Sequence, residues 1–287
     1  MSYRLNRLGI SLLAGCVLSG FAITAMADDT LAISESMYSL AKPPESTGGE
    51  WDFWRFAVGA GVVSMPTFPG ARDTKVEGLP ILSAGYGRWF VGANPDAGSL
   101  ISAGAYLYHD DHWRAGVAIT YDFIEPRQES DDSHLRGLGD VDRTTHAEAF
   151  GVFTYDWFSA RGSVISDIGG NQRGTVVTLD TMGEYSPAEQ WTFSAGPGVT
   201  WGSSQDNRTY FGIDATQSAR SGLAPYSLGS GVNEVRFSVG AAYRPTPHWV
   251  VGADITAAWL ENDAGDSPVV QKKNQMTYGL IATYLFF

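Results

Sequence analysis

A chain of 287 residues has room for one or two soluble domains or for a single large barrel. It combines 34 Gly, 14 Phe, 13 Tyr and 9 Trp with only 17% charged residues, where a soluble domain carries about 25%. With 19 Lys and Arg against 31 Asp and Glu, the net charge of -12 repels phosphate backbones and argues against nucleic acid as a partner, while a mean hydropathy of -0.11 is too low for a bundle of transmembrane helices.

Residues 1–27 read as a secretory signal: Arg4 and Arg7, an apolar stretch from Leu8 to Met26, then Ala25-Met26-Ala27, with cleavage after Ala27. Leu13-Ala14-Gly15-Cys16 supports a competing reading as a lipoprotein signal processed at Cys16. Cleavage after Ala27 removes two Arg, no acid and the sole Cys, leaving a net charge of -14 and no disulfide or thiol chemistry. Residues 28–52 include Lys42-Pro43-Pro44-Glu45 and Thr47-Gly48-Gly49 and read as a flexible periplasmic segment, either an inert leader or a tether for a partner.

From residue 53 to 287 the chain keeps a two-residue beat, in segments of the length needed by strands tilted across a membrane. No apolar run beyond residue 27 is long enough for a membrane helix. The expected strands are 53–64, 76–87, 89–92, 99–108, 112–123, 144–157, 160–168, 173–186, 190–203, 232–245, 248–261 and 274–287. Their connections alternate long and short, so the expected fold is all-β: a transmembrane, antiparallel up-and-down β-barrel of about twelve strands. Ten is the alternative, because the third strand is short. An even count places both termini in the periplasm. Gly196-Pro197-Gly198 is expected to mark a bulge.

Three strands are bracketed by rings: Trp113 and Phe123, Trp191 and Trp201, Trp249 and Trp259. Ten residues climb about 25 Å at a tilt near 40°, the height of a barrel's apolar band. These rings, with Tyr278 and Phe286, are therefore expected at the two water interfaces. Charges of the opposite parity are expected to face the lumen: Arg55, Arg114, Asp122, Glu148, Asp156, Arg161, Asp167, Asp180, Glu184, Glu234, Arg236, Arg244 and Asp254. Their mixed signs favour pairing over an open pore, and residues 204–231 are long enough to fold inward as a plug. Tyr284 and Phe286, followed by an extra Phe287, resemble the terminal signal read by the barrel assembly machinery.

Other constellations read as structural. His109-Asp110-Asp111-His112 has the residue types of a metal cluster, but a polar turn is the expectation, with no cofactor. The acids of 125–143 are expected in a solvated external loop, with divalent ions of the lipopolysaccharide as the alternative. His112, His146 and His248 take the inward parity, so no Ser-His dyad is placed on the outer wall and no enzyme is expected.

Several stretches together resemble the MipA/OmpV family of outer-membrane proteins, over about 55–287: Val58-Gly59-Ala60-Gly61 with Pro66 and Gly70, Leu79-Pro80, Gly87-Arg88-Trp89-Phe90, Gly137-Leu138-Gly139-Asp140-Val141-Asp142, Gly196-Pro197, Tyr210-Phe211-Gly212-Ile213, Ala219 to Leu223, His248-Trp249, Ser267-Pro268-Val269-Val270 and Tyr284-Leu285-Phe286. The resemblance implies a non-enzymatic barrel in the Gram-negative outer membrane, in contact with lipid and lipopolysaccharide. It further implies a scaffold joining a lytic murein transglycosylase to a penicillin-binding protein. Because other members resemble small porins or adhesins, a narrow channel for small polar solutes is the alternative, and adhesion through loops 124–143 and 204–231 a third.

Overall fold

The computed structural model describes residues 54–286. The expected signal with Ala25, Ala27 and Cys16, the segment 28–52, and Phe287 lie outside the described residues.

Twelve strands close into one ring: β1 (Trp54–Pro66), β2 (Thr74–Tyr86), β3 (Trp89–Asn94), β4 (Ser99–His109), β5 (Trp113–Tyr121), β6 (Thr145–Tyr155), β7 (Phe158–Asp167), β8 (Thr175–Ala188), β9 (Trp191–Gly202), β10 (Gly231–Tyr243), β11 (Trp249–Leu260) and β12 (Asn274–Phe286). Every strand is antiparallel to its sequence neighbours, and β12 returns to β1. The short third strand is real, so the count is twelve rather than ten. Closure satisfies the backbone of a chain whose outer side chains are apolar. On β11, Trp249, Val251, Ala253, Ile255 and Trp259 are exposed, while Val250, Gly252, Asp254, Thr256 and Ala258 are buried.

The connections segregate by length. At the end that carries Trp54 and Phe286 the strands are joined by 87–88, 110–112, 156–157, 189–190 and 244–248. At the other end lie 67–73, 95–98, 122–144, 168–174, 203–230 and 261–273. The first is called here the turn end and the second the loop end.

Residues 203–230 contain two helices, α1 (Ser204–Phe211) and α2 (Ala215–Ser221), and a third short helix, α3 (Asn262–Gly265), follows β11. Ser203 caps α1 through its hydroxyl. Asp214 and Gln217 form a reciprocal capping box on α2, which stops at Gly222 in the left-handed region (φ 78°). The loops then share apolar clusters. Tyr210 and Phe211 pack with Val141, Leu228, Leu260 and Ala264, while Ile213 packs with Phe68, Leu135, Leu138 and Val269. Loops rooted between β1 and β2, β5 and β6, and β9 and β10 stand a third of the ring apart. They touch by converging at the barrel axis. Residues 204–231 thus build one apolar assembly together with the other loops.

The segment that does turn inward is 95–98, where Asp96, Ala97 and Gly98 are buried. Because β3 has six residues, β2 and β3 share four residue pairs, against thirteen between β1 and β2 and nine between β1 and β12. The chain after β5 leans toward this short seam. Phe123 and Ile124 pack on the inward cluster that includes Leu79, Ile81, Ala93 and Leu100, and Lys75 Nζ donates to the carbonyl of Glu125 at 3.3 Å. Phe123 is therefore not a ring of the outer girdle. Tyr121 is the last outward ring of β5.

Pro197 also departs from expectation, because no bulge forms there. Its pairing with Phe237 of β10 stays in register, and the β8 ladder skips Thr181 and Met182 and resumes unshifted. A Cβ on Gly196 would sit 1.9 Å from the carbonyl oxygen of Thr181, so a glycine beside the proline keeps the strands close. The register shifts fall instead between Gly92 and Asn94, Tyr106 and Tyr108, Tyr185 and Ala188, and Val232 and Glu234.

Candidate functional site: the charged interior and the loop-end cleft

Seven of the charges assigned to the lumen by parity meet in three buried clusters. In the first, Arg114 grips Asp96 of the inturned segment through Nε and Nη2, at 2.8 and 3.0 Å. Tyr106 donates its hydroxyl to the same carboxylate at 2.8 Å. Arg161 donates Nε to the Asp96 carbonyl at 2.9 Å and pairs with Glu148 at 3.3 Å.

In the second, Arg236 bridges Asp180 on β8 and Glu234 on its own strand, at 2.5 and 3.3 Å, and donates to the Thr200 hydroxyl at 2.7 Å. Gly198 makes room for it: a Cβ there would lie 1.9 Å from Asp180 Oδ1 and 2.7 Å from Arg236 Nε. In the third, below the loop layer, Asp122 receives Arg173 at 2.6 Å, His146 Nε2 at 2.8 Å and the amide of Thr144 at 2.7 Å. Arg173 also donates to the hydroxyl of Tyr210, tying the wall to α1. Charges so far from water persist only when paired and hydrogen-bonded.

The remaining parity positions are more scattered. Asp254 is buried on β11. Asp167, half-buried at the end of β7, accepts the hydroxyl of Thr144 at 2.8 Å and the amide of Arg173 at 2.9 Å. Arg55, Glu184 and Arg244 are half-buried toward the turn end, where Arg55 donates to the Gly87 carbonyl at 2.9 Å. Asp156 does not face the lumen. It is an exposed turn residue with φ 51°, a backbone state tolerated by Asp better than by most side chains. Asp96, Arg127 and Arg173 were missed because each lies in a connection, where a two-residue beat gives no orientation.

Trp113, Trp191, Trp201, Trp249, Trp259, Tyr278 and Phe286 are all exposed on the outer face. The rings are unevenly divided. Trp54, Trp89, Trp113, Trp157, Trp191 and Trp249 lie at the turn end, and only Trp201 and Trp259 of the described tryptophans lie at the loop end. Tyr284 and Phe286 point outward at the end of β12, opposite Val58 and Phe56 of β1.

The turn 109–112 is closed by Asp110, whose Oδ1 accepts the amides of His112 and Trp113 at 2.8 and 2.7 Å and whose Oδ2 accepts the Tyr108 hydroxyl at 2.6 Å. These bonds hold the Asp110 carboxyl below the usual range, the Tyr108 contact contributing most. His112 stacks on Tyr155 at 5.3 Å and His248 on Tyr284 at 5.4 Å, so both rings lie among the turn-end aromatics rather than inward. Among the described residues no group of three or more His, Cys, Asp or Glu is arranged to hold a metal.

The acids of 125–143 fold their loop onto itself. Glu129 accepts the amide of Gly139 at 2.6 Å, Asp140 that of Glu129 at 2.7 Å, and Asp132 that of His134 at 2.7 Å. Backbone donors, Gly137 foremost for Glu129 and His134 for Asp132, hold both carboxyls below their ordinary values. Between this loop, 168–174, α1 and α2 lies an open cleft of about 740 Å³ that includes Arg127, Asp142, Gln172, Arg173, Arg208 and Asp214.

A closed antiparallel ring with an apolar, aromatic-rimmed exterior and paired charges inside is an outer-membrane β-barrel. The family description MltA-interacting protein MipA matches residues 58–286, and the chain belongs to that family. Curated relatives named MltA-interacting protein, from Escherichia coli K12 and Shigella flexneri, are each 26% identical over 231 residues, covering 80% of this chain and 88% of theirs. Among solved structures, an outer-membrane channel from Pseudomonas putida F1 matches 84% of this chain and 100% of its own, with a TM-score of 0.41 and 10% identity. The NanC porin matches 81% and 99%, with a TM-score of 0.39 and 9% identity.

Proposed function

We propose that this barrel is a non-enzymatic scaffold that holds a lytic murein transglycosylase, and with it a penicillin-binding protein, against the outer membrane. The termini and short turns face the periplasm and the long loops face outside. The carrying observation is the pairing of the interior charges: Arg114 with Asp96, Arg161 with Glu148, and Arg236 with Asp180 and Glu234 pair along the inner wall. Paired in this way, they do not form a like-charged track for a travelling solute. Function then belongs to the rims, and the name borne by the curated relatives directs it to a transglycosylase. The turn end suits a flat enzyme surface, since Tyr185 and Trp157 are 69% and 62% exposed and no loop layer covers them.

A pull-down with the purified barrel as bait tests this. Both enzymes should be retained, and trimming the exposed β8–β9 hairpin at 185–190 should weaken retention. A bait that retains neither enzyme defeats the reading. Stable conductance steps in planar bilayers, altered by Glu148→Gln, would replace it with a narrow channel.

A further inference from the structure

Arg127 differs from the other buried cations. It is 2% exposed and forms no ion pair among the described residues, Asp140, Asp131 and Glu129 acting on it only at longer range. Its Nη1 donates to the carbonyl of Tyr210 at 2.8 Å, and its Nε is buried with no hydrogen-bond partner. A buried guanidinium without an anion in contact is costly, and in proteins that cost is normally met by a counter-anion.

Arg127 lines the cleft at the loop end, and the other cleft charges are mostly engaged. Arg173 is tied to Asp122, Asp140 takes the amide of Glu129, and Asp214 caps α2. Arg208, exposed on α1, donates Nε to the carbonyl of Ser204 and pairs with no carboxylate among the described residues. Two guanidinium groups therefore line the cleft without a carboxylate in contact, although Asp140, Asp142 and Asp214 share the lining. At the cleft lip, Gln172 is held in the left-handed region at φ 58°, a state rare for its residue type and common at ligand-contacting positions. The volume, about 740 Å³, suits a small solute.

We propose that this cleft binds the oxyanion of a small polyhydroxylated molecule, a carboxylate or phosphate held by Arg127 and Arg208, with the side-chain amides of Gln172 and of Gln205, which also lines the cleft, taking hydroxyls. The bond from a guanidinium fork to an oxyanion is charge-assisted and directional, which is why arginine serves this recognition.

Calorimetric titration of the refolded full chain in detergent free of lipopolysaccharide, with gluconate, glucose 6-phosphate and glucose as probes, tests it. Gluconate or glucose 6-phosphate should bind and neutral glucose should not. Arg127→Gln should weaken anion binding roughly tenfold or more, and Arg208→Gln by a smaller factor. The exposed Arg208 variant keeps the test decisive if Arg127→Gln does not fold. Purified lipopolysaccharide as a competitor identifies the source: displacement assigns the oxyanion to the lipid phosphates, and no displacement assigns it to a soluble acid. No binding of either anion, equal binding of glucose, or full binding by both variants would overturn the proposal.

Discussion

The two ends of the barrel solve the same connection problem differently. At the turn end strands are joined by two to five residues, Asp110 and its neighbours close a turn by hydrogen bonds, and the rim is a ring of Trp and Tyr. At the loop end long connections acquire helices, caps and their own apolar clusters, so the chain folds a second small core above the first. The turn end draws its stability from the wall it joins, whereas the loop end has stability of its own to lose. The difference predicts which perturbations will separate them.

The largest effect should fall on the wall that both share. Arg236→Ala leaves Asp180 and Glu234 buried without their cation and should cost about 3–5 kcal/mol. Heat-induced unfolding in detergent micelles, followed by the gel shift of the folded barrel, should show both ends lost together at lower temperature. If only the loops loosened, the shared wall would not be the common support. Leu135→Ala, in the apolar cluster of the loop layer, should cost about 2–5 kcal/mol locally. Limited proteolysis would then cut within 122–144 or 203–230 while the barrel keeps its gel mobility.

Asp132→Ala removes the cap of the helical turn Ser133–Leu135 and should cost about 1 kcal/mol, visible as faster hydrogen exchange in 132–138 and unchanged exchange at the turn end. Acidification should act most gently. Glu129, Asp132 and Asp110 have lowered folded pKa values, so their stabilisation is complete above the ordinary carboxylate range near pH 4 and is lost as pH falls through the lower folded values. Exchange measured from pH 5 downward should open 129–139 first; opening that began at pH 6 would point to a different group.

The wall was readable because its rule is local. A side chain in a strand faces lipid or interior according to parity, and the twelve strands lie within about two residues of their expected positions, a margin usual for strand ends. Parity failed where strands stop: Phe123 and Asp156 were extrapolated beyond the last paired residue. The helices of the loop layer did leave a signal, since Asp214-Ala215-Thr216-Gln217 is a capping pattern and Gly222 a stop. The partnership of Asp96 with Arg114 and Arg161 left none, because it depends on a six-residue strand lowering a turn into the barrel.

That short strand also sets the mechanics of the ring. A circular zip parts where its seam is shortest, and here this is not where the chain's two ends meet, since β1 and β12 share nine pairs while β2 and β3 share four. Lys75, Phe123 and Ile124 act as a splint across that joint, and the clasp of Asp96 by Arg114 rivets the strand's far end to β5. Under tension the barrel should tear between its second and third strands, leaving the closure between first and last intact.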